Sequence, residues 1–217
     1  MPNIIFMGPV GSGKGAQAAM LSKELNIPTI STGLLLRDKA KVDNKLGHEI
    51  SEIINRGDLV SDELMFDVLK KRIEMEDCKN GCILDGFPRT KQQAVILDEY
   101  FAQKNSAIDA VIVLDVPDDI VIKRISGRFQ CARCGTVYSR YFKKTKIDGL
   151  CDNCGSMEFL IRADDVDVRL IVNRLDIYKN MSKSIIDYYD KKGLIYFING
   201  VNSIDKIYQD IKKILIK

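Results

Sequence analysis

The sequence predicts an α/β fold: a five-stranded parallel sheet with helices on both faces and two insertions at its ligand edge. Three observations predict it. Short apolar runs bounded by turn residues recur at Asn3 to Met7, Ile27 to Ile30, Cys82 to Leu84, Ala110 to Leu114 and Leu194 to Ile198, which reads as buried strands. Longer amphipathic stretches separate them, and this alternation means parallel strands joined by helices. A glycine-rich turn stands between the first run and the first such stretch.

Taken in order, the strand Asn3 to Met7 runs into Gly8-Pro9-Val10-Gly11-Ser12-Gly13-Lys14-Gly15, after which Gln17 to Leu25 reads as a helix. Glycines in such a turn let successive N–H groups face a phosphate chain, the helix N-terminus adds positive partial charge, and Lys14 is placed to neutralise the outer phosphates. A phosphate-binding loop in a nucleotide enzyme is therefore expected, with Gly11, Ser12, Gly13, Lys14, Gly15 and Ala16 along the ATP. Gly15 stands where a Ser or Thr is usual and Ala16 follows it, so magnesium must find its ligands elsewhere. Asp85, which closes the strand Cys82 to Leu84, is the candidate to hold the metal's water shell.

The later helices are expected at Asp62 to Met75, Gln92 to Gln103, Asp118 to Ser126, Val168 to Tyr189 and Ile204 to Leu215. Two stretches fall outside the alternation. Thr32 to Val60 is helical in tendency without a strand, and Phe129 to Ile161 is rich in Cys, Gly, Tyr and charge. Each reads as an insertion able to act as a moving lid.

The chain has 217 residues, 46% of them hydrophobic, enough for one substantial core. Lys and Arg number 33 against 30 for Asp and Glu, and the net charge of +3 argues against a dedicated nucleic-acid binder. No apolar run is long enough to cross a bilayer, and the start lacks the pattern of an export signal, so no membrane partner and a cytoplasmic location are expected. In that reducing compartment six cysteines are not a disulfide framework. Cys131, Cys134, Cys151 and Cys154 instead form C-x2-C-x16-C-x2-C, a spacing for tetrahedral zinc. Gly135 and Gly155 follow the second cysteine of each pair, and four thiolates leave no open position, so the zinc is expected to be structural. Cys78 and Cys82 read as plain residues. His48, the only histidine, reads as a surface helix residue.

After Asp85 come Gly86-Phe87-Pro88-Arg89-Thr90 and then Gln93, which hold an arginine fork beside the phosphate loop. Ser31-Thr32-Gly33 with Arg37 offers a second from the opposite side. Together with Gly57-Asp58-Leu59-Val60 and Asp115-Val116-Pro117-Asp118, these motifs resemble the adenylate kinases, in the right order over essentially the whole chain.

The resemblance implies a P-loop kinase core at 1–30, 61–127 and 165–217, a monophosphate-binding insertion at 31–60 and a zinc lid at 128–164. It implies reversible transfer from magnesium-bound ATP to AMP, giving two ADP, by a monomer. It places Thr32 and Gln93 on the AMP base, framed by Asp58, Leu59 and Val60. Arg37 and Arg89 fall on the AMP phosphate, with Gly86, Phe87 and Pro88 forming the turn beside it. Arg124 would stack on the ATP adenine, near Val137, Tyr138 and the backbone at Asn202. Arg128, Arg162 and Arg174 would gather around the transferred phosphoryl group, with Lys14, Arg89 and Asp85. The interval from Arg162 to Arg174 is one residue longer than the family pattern, which leaves Arg169 as the alternative to Arg174. Ala16, Leu34 and Asp58 depart from residues usual in the family.

A kinase for UMP or CMP keeps the same layout and changes only the acceptor. A zinc-ribbon nucleic-acid module, using Lys143, Lys144, Lys146, Tyr138 and Tyr141, is the reading from another class.

Overall fold

The computed structural model describes residues 2–56, 60–161 and 165–215. Five parallel strands form the main sheet: β1 (Asn3–Met7), β2 (Thr29–Ser31), β3 (Cys82–Asp85), β4 (Ala110–Asp115) and β8 (Ile195–Asn199), in the order β2-β3-β1-β4-β8. The expected strands are all present. The second and fifth sit slightly later than their apolar runs, because pairing to β3 begins at Thr29 and pairing to β4 at Ile195.

The three inner strands, β3, β1 and β4, are buried on both faces, with alternate residues entering different cores. Ile5 and Met7 of β1 and Val111 and Val113 of β4 pack on one face, against Met65 and Leu69 of α4 (Asp62–Ile73), Leu97 and Phe101 of α5 (Lys91–Gln103) and Ile185 and Tyr189 of α7 (Val168–Asp190). Ile4 and Phe6 of β1 and Ile112 and Leu114 of β4 pack on the other, against Ala18 and Leu21 of α1 (Lys14–Leu25) and Ile207, Tyr208 and Ile211 of α8 (Ile204–Leu215). This period of two on a doubly covered strand is why the runs are apolar throughout. A third cluster, of Val121 and Ile125 from α6 (Asp118–Ser126) with Ile171 and Leu175, fastens α6 to α7.

The first insertion holds α2 (Thr32–Ala40) and α3 (Lys45–Arg56). The second holds an antiparallel sheet of β5 (Arg128–Cys131), β6 (Val137–Ser139) and β7 (Phe159–Leu160), in the order β6-β5-β7. Its core is small: Cys131, Tyr138 and Cys151, with Phe129 and Phe159 packed against them. So little apolar area does not hold a segment of this length without a further cross-link.

The order of the main sheet positions the site. Both neighbours of β1 run parallel to it, with Phe6 opposite Asp85 and Met7 opposite Val113. The connections from β1 to β2 and from β3 to β4 leave in opposite directions, and the crevice at such a switch point is where α/β sheets bind ligands. Ser31, Met7, Asp85, Asp115 and Asn199 all end their strands on that edge. Among the described residues, no helix is long and apolar enough to cross a membrane.

Candidate active site

The loop after β1 bends through three glycines at positive φ: Gly8 at 145°, Gly11 at 77° and Gly13 at 102°. A Cβ on Gly8 would lie 2.9 Å from the Leu114 carbonyl oxygen, and one on Gly11 would lie 2.7 Å from Ile125 Cγ1. Space and dihedral therefore both demand glycine at these two positions. Gly15 and Ala16 follow as exposed residues of the first turn of α1. Lys14 Nζ donates to the carbonyls of Gly8 at 2.6 Å and Pro9 at 2.9 Å, so the ammonium folds over its own loop. Ser12 is buried beneath it, and its Oγ has no hydrogen-bond partner among the described residues. A buried hydroxyl without a partner is rare enough to mark a place for an acceptor from a ligand.

Burial lowers the pKa of Lys14 below 10.5; Asp85 opposes the shift, while Arg89, Arg128 and Arg174 add to it. Arg89, Arg128 and Arg174, from three other segments, are thus near enough to act on the Lys14 ammonium, with Asp85 opposing them and Asp165 set between Arg128 and Arg174. Arg89 is lowered in the same way, first by desolvation, with Asp85 opposing and Arg174 and Arg37 adding. Such a concentration of positive charge is poised for anions.

On the acceptor side, Gly86 turns the chain at φ 88°, and the Phe87–Pro88 peptide is cis. Phe87 and Pro88 are buried, and Arg89 Nε donates to the Gly86 carbonyl at 3.0 Å. Thr32, also buried, donates from Oγ1 to that same carbonyl at 3.0 Å, which joins the start of α2 to the turn after β3. Gln93 is 4% exposed. Its Oε1 accepts the Arg89 N–H at 2.6 Å and its Nε2 donates to Asp62 Oδ1 at 2.6 Å. Arg37 is exposed on α2, and Val60 is buried against the core. Asp58 and Leu59 lie outside the described residues.

On the lid side, Arg128 makes a bidentate pair with Asp165, at 2.7 Å from both Nε and Nη2, and Arg174 Nη1 reaches the same carboxylate at 3.3 Å. Arg169 instead points outward, 91% exposed and paired to Asp167 at the cap of α7. Geometry therefore brings Arg174, and not Arg169, to Arg128. Arg162 lies outside the described residues. Arg124 bridges two loops, donating to the Ser12 carbonyl at 3.2 Å and the Gly200 carbonyl at 2.8 Å, and its guanidinium lies 5.4 Å from the centre of the Phe142 ring. Asn202 is exposed in the turn just beyond Gly200.

The four lid thiols lie within 4.8 Å of one another. Cys131 and Cys154 approach to 3.5 Å, as do Cys134 and Cys151. A tetrahedral zinc with bonds of about 2.3 Å needs sulfurs about 3.8 Å apart, so the set fits the metal. The two pairs also fold alike. The Gly135 N–H returns to the Cys131 carbonyl at 3.0 Å and the Gly155 N–H to the Cys151 carbonyl at 2.9 Å, with φ of 71° and 69°.

Tyr138 takes a different place from the one expected. Its side chain is 1% exposed, with its hydroxyl beside Cys151 and accepting the Asp152 N–H at 2.8 Å. The ring belongs to the lid core, and only its backbone is left to face a nucleotide. Val137 is 45% exposed and free to do so. His48 is a surface residue beside Asp43, as read from the sequence. Two carboxylates that the motifs did not single out as site residues, Asp62 and Asp165, organise the acceptor and lid sides. A hint for Asp165 was in the sequence, an acid following the lid between two arginines.

The sequence model of the family described as "Adenylate kinase" matches residues 6–194. Similar curated proteins include an adenylate kinase of Methanosarcina barkeri, 44% identical over 219 residues and 99% of each chain. One of Limosilactobacillus reuteri subsp. reuteri is 43% identical over 213 residues and 98% of each chain. One of Archaeoglobus fulgidus is 42% identical over 215 residues, 99% of this chain and 98% of the relative.

Proposed function

From the premise that this chain belongs to the adenylate kinase family and is a phosphotransferase, we propose that the cleft at its sheet edge holds ATP and AMP end to end for transfer giving two ADP. The observation that carries this reading is the loop from Gly8 to Lys14, wound through three glycines at positive φ with the Lys14 ammonium folded over it and Arg89, Arg128 and Arg174 near enough to act on that charge. Phosphoryl transfer asks mainly for positioning and for charge placed where the transition state needs it.

In this reading the N–H groups from Gly11 to Ala16 wrap the ATP phosphates, and Lys14 exchanges its carbonyl partners at Gly8 and Pro9 for the outer phosphates. Arg89 and Arg37 fix the AMP phosphate, while Thr32, Gln93 and the strand of chain at 58–60 frame its base. Arg128, Arg162 and Arg174 approach the phosphoryl group from the lid side. Arg124, Val137, the Tyr138 backbone and Asn202 take the adenine of ATP. No general base is needed, because the AMP phosphate is already an anionic nucleophile. Magnesium bound with ATP would supply neutralising charge for the phosphates; Asp85, whose charge acts on both Lys14 and Arg89, is the carboxylate that would orient its waters.

We divide the chain into a core at 1–30, 61–127 and 165–217, a monophosphate-binding insertion at 31–60 and a lid at 128–164. Cys131, Cys134, Cys151 and Cys154 would hold a structural zinc in that lid, and the metal would supply the missing core. Closure of the lid keeps water from accepting the phosphoryl group. A cytoplasmic location suits the reading, since the thiols need a reducing compartment, and the chain is taken to act as a monomer. The test is ADP formation from magnesium ATP with AMP, UMP, CMP, GMP or no acceptor. Fast turnover with AMP alone is expected; preference for another acceptor would overturn the assignment of Thr32 and Gln93.

A further inference from the structure

We propose that Asp62 is a specificity-determining positioning residue, whose carboxylate locks the amide of Gln93 in the one orientation that fits an adenine edge. This rests on the reading of Gln93 as a contact to the acceptor base.

A glutamine amide is nearly symmetric in shape, and rotation by half a turn exchanges its donor and acceptor ends. A reader free to rotate is a poor judge of purines. The edge of adenine presents a donor at the 6-amino group beside an acceptor at N1, whereas a 6-oxopurine presents the reverse. A freely rotating amide complements either.

Gln93 is not free. Its Oε1 faces the backbone N–H of Arg89 at 2.6 Å, and a backbone N–H only donates. Its Nε2 faces Asp62 Oδ1 at 2.6 Å, and a carboxylate only accepts. Rotation would set oxygen against carboxylate and amino group against N–H, losing both bonds at a residue only 4% exposed. That loss is the full cost of unsatisfied buried groups, not the modest net value of a hydrogen bond.

Asp62 is itself fixed. Its second oxygen accepts from Thr90 Oγ1 at 2.9 Å, and Thr90 Oγ1 in turn accepts the Gln93 N–H at 3.0 Å as the cap of α5. With its proton committed to Asp62, the Thr90 hydroxyl turns a lone pair to the helix, so the ring through Asp62, Thr90 and Gln93 has a single consistent direction. The amide keeps one N–H and one lone pair for the base, in an order set by Asp62. In a kinase acting on AMP, that order is the one complementary to adenine.

The experiment measures phosphoryl transfer from ATP to AMP and to inosine monophosphate, which reverses the edge pattern without adding a 2-amino group. It uses the full metal-replete chain, as wild type, Asp62→Asn, Asp62→Ser and Gln93→Leu. Both Asp62 replacements accept either amide face and leave the Arg89 N–H as the one remaining constraint on the order, so each should lower the AMP-to-IMP ratio of kcat/KM by about tenfold, through KM for the monophosphate with KM for ATP unchanged. A purely structural role for Asp62 would reduce both acceptors equally and leave the ratio alone. An unchanged ratio in both variants, while Gln93→Leu raises KM for AMP, overturns the proposal and leaves the base contact standing. No change in KM for AMP in Gln93→Leu removes the base contact, and the proposal with it.

Discussion

Asp165 lies between Arg128 and Arg174, taking two guanidinium nitrogens of the first at 2.7 Å and Nη1 of the second at 3.3 Å, with 1% of its surface in solvent. The carboxylate holds two cations together that would otherwise repel. It does so where the phosphoryl group is expected to pass, so the arginines arrive already oriented.

Replacement of Asp165 by alanine should therefore cost about 3 kcal/mol of stability, the low end for breaking a buried pair, because both arginines keep some contact with solvent. Urea unfolding measures it. ATP should restore more stability to this variant than to the wild type, since its phosphates can replace the lost carboxylate. An equal ATP-induced gain in the two proteins would mean that Arg128 and Arg174 do not face the nucleotide.

Lys14→Met should lower kcat by at least about a hundredfold, the scale of losing one preorganised charge at a transition state. Steady-state rates under saturating nucleotide decide it.

The same residue predicts a pH dependence. The folded pKa of Lys14 is lowered, first by burial, from 10.5. Between the two values the unfolded chain keeps the proton and the folded chain has shed it, so stability from this group rises with pH across that window. Below the folded pKa the charge is carried at a cost. Lys14→Met should flatten the alkaline rise in urea midpoint of the nucleotide-free protein; parallel profiles for the two proteins would count against a strained lysine.

With zinc in the lid as proposed, chelation or Cys154→Ser should release one zinc per chain and lower the first unfolding transition while the main sheet survives. Metal analysis with circular dichroism reads both. Phe129, Tyr138 and Phe159 form too small a cluster to keep the lid folded alone. A lid that stays ordered without metal would refute the structural role.

Gly8→Ala should destabilise by about 1–3 kcal/mol and weaken ATP binding, since its Cβ would meet the backbone of β4 and its φ is 145°. Thermal melting and a nucleotide titration test the two effects separately.

What could be read from the sequence was local. The runs of β1 and β4, the loop from Gly8 to Gly15 and the two C-x2-C pairs each carry their signal within a few residues, through side-chain period, backbone dihedral or ligand geometry. Asp165 pairs with Arg128 across the whole lid insertion, and Asp62 meets Gln93 across β3, so no period or spacing marks either pair. The burial of the Tyr138 ring was hidden for a related reason. An aromatic residue near a nucleotide loop and one at the centre of a small cysteine-rich core look alike until the strands are paired. The start of β2 also depends on its partner rather than on its own residues: Ile27 is as apolar as Ile30, but pairing to Ile83 begins at Thr29.

Arg124 holds the carbonyls of Ser12 and Gly200 at once. During synthesis the phosphate loop leaves the ribosome well before the turn that steadies its far side, with β2, β3, β4 and β8 all made between them. Until that turn is made the loop is present but unfinished, and the proposed triphosphate site is completed in one step, when β8 docks against β4.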